Sequence, residues 1–306
     1  MVVSSWRVAV GALLVLVVTA SDGSASFPGR SGKIAFVSDA SGSNDLVIMN
    51  ADGSGRENLT SGPDDDLYPA WSPGGRLLAF VRGEAVYVIR SDGGGLRRVT
   101  AGASPAWSPD GRRLVFSRPT GLTSDLYTVG VDGRGLRRLT RTPASAESDP
   151  EWSPNGRLIV YTRAFRRPTG AGTHVYVVRP TGRGVRRVTS GGTPTWSPDS
   201  RQLAFIRTDE SVGQSRVFVT TVDGARTRPL VGDLQLDPEA TFESDPFWSP
   251  DGKRIVFVRG ARLYSDLYVA SVDGRFLRRV TDNAIDQVTD RQPAWQRLPR
   301  KRPLGA

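Results

Sequence analysis

The sequence predicts an all-β protein, a six-bladed β-propeller of four-stranded antiparallel blades. Three observations lead to this prediction. Short apolar stretches rich in Val, Ile, Leu, Tyr and Trp alternate with Gly and Pro turns, as the strands of all-β proteins do. The phrase PAWSPDGRRLVF, at 105–116, returns along the chain in close variants. The first and last copies are incomplete in complementary ways, which a closed ring would explain.

The first strand of each repeat ends at a Trp that has a Pro two residues before it. The tryptophans are Trp71, Trp107, Trp152, Trp196, Trp248 and Trp295. Their separation of about 45 residues is typical of one propeller blade. A large ring on an innermost strand most simply packs between adjacent blades, and we predict that position for all of them.

Two-residue turns follow the first strand and join the third strand to the fourth. Asp110-Gly111 is one example, and Asp-Gly supplies the positive φ angles that such hairpins need. Second and third strands, such as LLAFV at 77–81 and VYVI at 86–89, are apolar on both faces. Such strands fit a sheet that is covered by a neighbouring sheet on each side.

The fourth, outermost strand carries an arginine doublet in several repeats. The doublets are Arg97-Arg98, Arg137-Arg138, Arg186-Arg187 and Arg278-Arg279. Charge on an exposed sheet edge prevents pairing with another chain, and we favour this interpretation over a nucleic-acid patch. The aromatic residues occupy repeat positions and form no basic and aromatic stacking platform. We therefore expect no specific nucleic acid as a partner, despite the net charge of +10.

The ends of the repeat region predict how the ring closes. KIAFV at 33–37 has the character of a second strand, and PAWQ at 293–296 that of an isolated first strand. We predict that these two pair, so that the last Trp strand completes the first blade of a propeller domain at 27–296. This clasp needs no disulfide, and the sequence contains no cysteine.

The motif WSPDG, followed by an apolar strand and then xLYxxxxDGxxxRRLT, resembles the WD40-like repeat of the TolB propeller. The resemblance covers about residues 30–296 and concerns the propeller part of TolB, without its additional N-terminal α/β domain. It implies a six-bladed propeller of the exported, periplasmic kind that acts through protein contacts.

Because the strands alternate in direction, the connections after second and fourth strands emerge on one face, which we call the long-loop face. The tight turns lie on the opposite side, the turn face. Variation in length is concentrated on the long-loop face, in the segments 165–172, 208–215 and 231–245. Variable loops on a rigid scaffold are the usual place for recognition.

Charged residues gather on the long-loop face. Arginines follow the second strand of five blades, at Arg82, Arg118, Arg163, Arg207 and Arg259, and Ser38-Asp39 takes this place in the first blade. Carboxylates approach the innermost strands, at Asp64, Asp65, Asp66, Glu147, Asp149, Glu243, Asp245 and Asp290. These charges either neutralise one another as ion pairs or form a charged channel mouth for a peptide segment or a small anionic ligand. The candidate binding residues are the five arginines with Asp66, Asp149, Asp245 and Asp290.

Catalytic constellations are sparse in this sequence. The single histidine, His174, has no GxSxG nucleophile motif beside it, and we expect it to be a structural or surface residue. We also expect no metal and no cofactor. Carboxylates near a channel would suit a polysaccharide lyase or a glycosidase. A secreted carbohydrate-active enzyme is therefore the alternative to a non-enzymatic protein-binding module.

The amino-terminal segment suggests export. Residues 1–26 resemble a secretory signal peptide, because Arg7 precedes the apolar run 8–20 and small residues follow it. This run is shorter than the roughly 20 residues of a membrane span, and an uncleaved anchor is the alternative. The basic tail 297–306 is either a solvated end or an attachment to an anionic envelope surface.

From these features we expect a monomer in the periplasm or outside the cell. Its mature form would have no integral membrane span. Its partner would be an envelope or extracellular protein or peptide.

Overall fold

A computed structural model describes residues 30–298 of the chain, except 122, 168–169, 210–212, 233–241, 262–263 and 284–287, and gives only the backbone at 30, 166–167 and 170–171. The described residues form 24 strands and contain no helix, so none that could span a membrane is found in this part of the chain. The predicted signal peptide at 1–26 and most of the predicted tail lie outside the described residues.

The strands form blades of four, ordered from the innermost strand outwards. Blade 1 contains β24 (Asp290–Leu298), β1 (Arg30–Ser38), β2 (Asp45–Met49) and β3 (Glu57–Asn58). Blade 2 contains β4 (Asp66–Trp71), β5 (Leu77–Arg82), β6 (Ala85–Arg90) and β7 (Arg97–Ala101). Blade 3 contains β8 (Ala103–Trp107), β9 (Arg113–Pro119), β10 (Ser124–Gly130) and β11 (Arg137–Arg138).

The second half of the chain repeats this arrangement. Blade 4 contains β12 (Ser145–Trp152), β13 (Ile159–Arg167), β14 (Gly170–Val178) and β15 (Arg186–Ser190). Blade 5 contains β16 (Gly192–Trp196), β17 (Gln202–Asp209), β18 (Gln214–Thr221) and β19 (Thr227–Pro229). Blade 6 contains β20 (Phe242–Trp248), β21 (Arg254–Gly260), β22 (Ser265–Ser271) and β23 (Leu277–Arg279). Within each blade the neighbouring strands are antiparallel, as predicted.

The ring closes where the sequence predicts. β24 pairs with β1 in the order β24-β1-β2-β3, and Trp295 lies opposite Ile34 in the register. The closing strand extends to Leu298, so the domain boundary expected at residue 296 falls inside it. The carboxy-terminal strand therefore completes the blade that the amino-terminal strands begin, and the predicted closure is confirmed.

The hydrophobic core lies between the blades. Trp152 of blade 4 packs against Val115 and Leu126 of blade 3, and only 9% of Trp152 is exposed. The other tryptophans of the repeat each pack against the preceding blade in the same way. The predicted position of the tryptophans between adjacent blades is confirmed.

The arginine doublets on the outermost strands place charge on an exposed sheet edge and also form hydrogen bonds between blades. The first arginine of each doublet donates a hydrogen bond to a backbone carbonyl of the next blade. These pairs are Arg97 to Val131, Arg137 to Thr181, Arg186 to Val222 and Arg278 to Asp52. The outermost strands are only two to five residues long and form few backbone hydrogen bonds. The arginine bonds therefore add to the contacts between blades at the rim of the turn face.

Candidate functional site

The two faces of the ring differ in how their polar groups are satisfied. On the turn face the hairpins are self-contained. In blade 3, the Ser108 hydroxyl donates to Asp110 Oδ1 at 2.6 Å and accepts from the Arg113 N–H at 2.9 Å. The equivalent serines of blades 4, 5 and 6 do the same. The long-loop face instead carries charged side chains whose pairing differs from blade to blade, and a site of recognition is expected there.

Each blade places one arginine over aromatic rings at its long-loop end. We call this set the arginine ring, and its members are Arg56, Arg82, Arg118, Arg163, Arg207 and Arg259. The guanidinium carbon of Arg207, for example, lies 5.4 Å from the centroid of Phe205 and 4.9 Å from that of Phe218. Such stacking fixes the plane of a guanidinium and leaves its edge for hydrogen bonds.

In three blades a buried carboxylate of the innermost strand neutralises this arginine. The shortest N–O distances are 2.6 Å for Arg82 and Asp66, 2.8 Å for Arg163 and Glu147, and 2.6 Å for Arg259 and Glu243. Asp66 accepts two bonds from Arg82, from Nε at 2.7 Å and from NH2 at 2.6 Å. The ion-pair interpretation is therefore confirmed for these blades, and their arginines are occupied.

Blade 1 reaches the same arrangement by a route that the sequence did not reveal. Its second strand ends at Ser38, and the cation comes instead from Arg56, which lies just before the outermost strand. Arg56 donates to both oxygens of Asp290, at 3.0 and 3.2 Å, and to the Ser38 hydroxyl at 2.8 Å. The sequence hinted at this only through Asp290, a carboxylate in a blade that has Ser38 and no arginine at the end of its second strand.

Blades 3 and 5 lack the carboxylate. Five residues before Trp107 and Trp196, where other blades have Asp or Glu, stand Gly102 and Gly191. Among the described residues, Arg118 and Arg207 form no ion pair. Each blade thus contributes one arginine to the arginine ring, and two of these arginines have no carboxylate partner in the described ranges.

The channel is lined by a second ring, made of the residue that precedes the repeat proline in each innermost strand. This pre-proline ring consists of Tyr68, Ser104, Asp149, Thr193, Asp245 and Gln292. All have positive φ, between 44° and 57°, and each innermost strand has a register shift there. Side chains other than Gly seldom adopt this conformation, so the backbone of the channel wall is strained and fixed.

Two members of the pre-proline ring are carboxylates, Asp149 and Asp245, and the first affects the pKa of the second. Burial raises the pKa of both Asp149 and Asp245, and the charge of Asp149 raises that of Asp245 further. Burial, and then the charges of the same two aspartates, raise the pKa of Tyr68. These predicted binding residues therefore lie near one another in the channel, apart from the ion-paired Asp66 and Asp290.

The channel wall also contains Glu151, which sequence reasoning missed. A small part of the residue borders the channel, but protein surrounds the carboxyl group, and burial raises its pKa to about 8. Its Oε2 accepts the Trp196 N–H at 3.1 Å. The space between these walls has a volume of about 150 Å³.

A wider cavity opens off the axis among blades 4, 5 and 6, and we call it the Arg207 cavity. Its volume is about 580 Å³, and its walls include His174, Arg207 and Glu243. His174 Nδ1 lies 2.7 Å from the Thr173 carbonyl oxygen, and its ring contacts those of Phe165 and Tyr176. Parts of the loops that we expected to vary, in 165–172, 208–215 and 231–245, lie outside the described residues.

The remaining candidates do not join these groups. Asp65 accepts the backbone N–H and side-chain amide of Asn44 at 3.1 and 2.7 Å, and Asp64 is exposed. No group of three or more His, Cys, Asp or Glu residues suited to a metal ion occurs within the described ranges. The geometry thus gives the arginine ring, the channel and the Arg207 cavity as the features of interest.

The blades from the third onwards match a known family. The model of the TolB beta propeller domain family matches residues 100–298 of the chain. No curated protein sequence matches this chain significantly.

Solved structures share the fold at low identity. TolB from Acinetobacter baumannii has a TM-score of 0.71 and 22% identity over 87% of this chain, which spans 66% of that protein. A chain of a nidogen/laminin complex has a TM-score of 0.66 and 12% identity, with 87% of this chain and 99% of that chain covered. An oligogalacturonate lyase in complex with manganese has a TM-score of 0.54 and 15% identity, over 83% of this chain and 74% of that chain. At these identities the similarity shows the fold alone.

Proposed function

The chain belongs to the TolB beta propeller family, and from that premise we propose that it is an exported, non-enzymatic binding module. It holds a protein or peptide partner on its long-loop face and at the mouth of its channel. The partner is an envelope or extracellular protein, and the place of action is the periplasm or the outside of the cell. The export signal expected at residues 1–26 agrees with this location.

One observation carries the proposal. The pre-proline ring uses Tyr, Ser, Asp, Thr, Asp and Gln at structurally equivalent positions of a repeat whose other positions recur from blade to blade. A merely structural position in a repeat would take similar residues in every blade. A circle of different polar side chains on a rigid, strained backbone is instead suited to recognising a shaped and polar partner.

The size of the channel supports binding rather than carbohydrate catalysis. Its volume of about 150 Å³ is below the roughly 300–1,000 Å³ of ordinary small-molecule sites. This volume is small for a site that encloses a sugar chain between Asp149 and Asp245, whereas a partner at the mouth needs to insert only one side chain.

Affinity capture from the envelope extract of the source cell, followed by cross-linking and mass spectrometry, tests the proposal. We expect cross-links of the captured partner to fall on the long-loop face. Replacing Tyr68 and Gln292 by Ala should weaken capture by about tenfold, because two contacts of about 0.7 kcal/mol each are lost. Arg183→Ala, an exposed change on the turn face, is the matched control and should bind as the unchanged protein does.

The enzyme alternative has its own measurement. Turnover of polygalacturonate that disappears in Asp149→Asn or Asp245→Asn would contradict the proposal. So would partner cross-links that map to the turn face.

A further inference from the structure

Arg207 has no carboxylate partner among the residues that the structure describes, and the backbone of its own blade explains why. A Cβ atom on Gly191 would lie 2.3 Å from the Ile206 carbonyl oxygen, and Gly191 has a φ of +125°. The start of β16 therefore approaches β17 too closely for any side chain at this position. At this position blade 5 therefore cannot carry the carboxylate that Asp66, Glu147 and Glu243 supply in their blades.

Arg207 is nevertheless held in a fixed position. Its guanidinium stacks over Phe205 and Phe218, and its NH2 group donates to the Thr189 hydroxyl at 2.9 Å. Its Nε atom is buried and has no hydrogen-bond partner among the described residues. A buried donor without an acceptor costs free energy. An arginine whose guanidinium plane is already fixed can donate to a carboxylate without losing further side-chain freedom.

The cavity beside Arg207 is open to an anion. The carboxylate on its wall, Glu243, is occupied on both oxygens: Oε1 accepts from Arg259 at 2.6 Å, and Oε2 accepts the Val217 N–H at 2.8 Å. Glu243 and Arg259 neutralise each other, so no carboxylate in the described part of the chain balances the charge of Arg207. The volume of about 580 Å³ is large enough for an extended segment of peptide.

We propose that the Arg207 cavity binds a carboxylate of the partner, either an Asp or Glu side chain or the carboxyl terminus of a peptide. The partner's carboxylate takes the role toward Arg207 that the innermost-strand carboxylates have toward Arg82, Arg163 and Arg259. Carboxylate is the favoured chemistry because the three equivalent arginines of the same fold all bind that group. This inference rests on the proposed function and names the chemistry of the partner.

Short peptides test the inference without any protein partner. The probes are acetyl-Gly-Asp-Gly-amide, its Asn counterpart, and acetyl-Gly-Gly-Gly with a free carboxyl terminus, titrated into the full chain and followed by the NMR signal of each Arg Nε–H. We expect the Asp peptide or the free carboxyl terminus to move the Arg207 signal in a saturable way. The one that binds more tightly identifies the source of the carboxylate.

Variants provide the matched control. Arg207→Gln should weaken binding of the carboxylate peptide by at least about tenfold, the loss expected for one charge-assisted contact. Arg118→Gln removes the other arginine that forms no ion pair within the described ranges; it does not line the cavity, and the affinity should stay unchanged. The shift of the Arg207 signal in the unchanged protein is a readout that does not depend on whether a variant folds.

Three outcomes would overturn the inference. In the first, the Asp and Asn peptides bind equally and the peptide with a free carboxyl terminus binds no more tightly than either. In the second, Arg207→Gln binds the carboxylate peptide with full affinity. In the third, inorganic phosphate occupies the cavity at a lower concentration than the peptide does and displaces it. None of them affects partner capture on the long-loop face. Conversely, failure of capture with intact peptide binding would reject the proposed function alone.

Discussion

At the scale of single residues, Glu151 has a carboxyl group in the wall of the channel where water cannot solvate it. Burial raises its pKa from 4.5 to about 8, against the hydrogen bond from the Trp196 backbone N–H, which acts in the opposite direction. The folded protein therefore keeps this proton at pH values where the unfolded chain has released it. The stabilisation by the protonated form is complete below pH 4.5 and is lost as the pH rises to about 8.

This pH dependence predicts the effect of Glu151→Gln. The amide stays neutral at every pH and still offers an oxygen to the Trp196 N–H. We expect the unchanged protein to lose stability relative to the variant as the pH rises from 4.5 to about 8. Urea unfolding midpoints of both proteins across that range measure the difference. Parallel curves would show that Glu151 does not titrate in this way.

At the scale of strands and turns, contact between blades determines the cost of a change. Trp152 lies in the interface with blade 3, beside Leu126 and Ile159. Neighbouring atoms cannot fill the cavity that the indole ring of Trp152 would leave. Trp152→Ala should therefore lower the free energy of unfolding by about 3–5 kcal/mol. Leu136→Ala, at a turn-face residue that is 46% exposed, should change it by less than about 0.5 kcal/mol. Thermal melts of the two variants check this, and an unchanged melt for Trp152→Ala would contradict the core position.

The turns between third and fourth strands also contact the neighbouring blade. Gly182 has a φ of +83°, and a Cβ atom there would lie 2.5 Å from the Leu139 carbonyl oxygen of blade 3. Gly135 has a φ of +68° with nothing within 4 Å of its Cβ position. The two glycines share the backbone conformation and differ in the contact with the adjacent blade.

This pair of glycines separates backbone strain from blade packing. Gly135→Ala should cost about 1–2 kcal/mol, the strain of a left-handed residue. Gly182→Ala should cost about 1–3 kcal/mol more, because the preceding blade must move. Chemical denaturation gives both values. Equal costs would mean that the turns do not contribute to packing between blades.

At the scale of the whole molecule, the ring is closed by hydrogen bonds and not by a covalent link. β24 lies between β1 and the core of blade 6, where Trp295 packs against Val256 and Val258. The backbone also joins adjacent blades on the long-loop face, as in the parallel pairs Ser124 with Ala146 and Ser215 with Phe242. The loss of one junction should therefore weaken all the others.

Two truncated chains test this cooperativity. Removing residues 290–306 deletes β24, exposes β1 as an open edge, and should abolish cooperative unfolding and lead to association through that edge. Removing only 299–306 leaves β24 complete and should have no effect on the unfolding transition. Calorimetry and size-exclusion chromatography give the result. A monomeric, cooperatively melting product of the longer deletion would reject closure as a source of stability.

The sequence by itself determined the ring, its blade number and its closure. These depend on local chemistry, because Asp-Gly turns, alternating apolar strands and a Trp at fixed spacing have the same meaning wherever they occur. It also placed Arg207 on the long-loop face, and Asp149 and Asp245 near the channel.

The tertiary structure decided which of these charges are neutralised. Arg56 and Asp290 are separated by 234 positions in the chain and meet only when the ring closes. In the described part of the chain Arg207 has no carboxylate partner, because the backbone at Gly191 approaches β17 too closely for a side chain there. Pairing and burial of charge depend on distances in space and on exclusion of water, and a repeat pattern contains neither quantity.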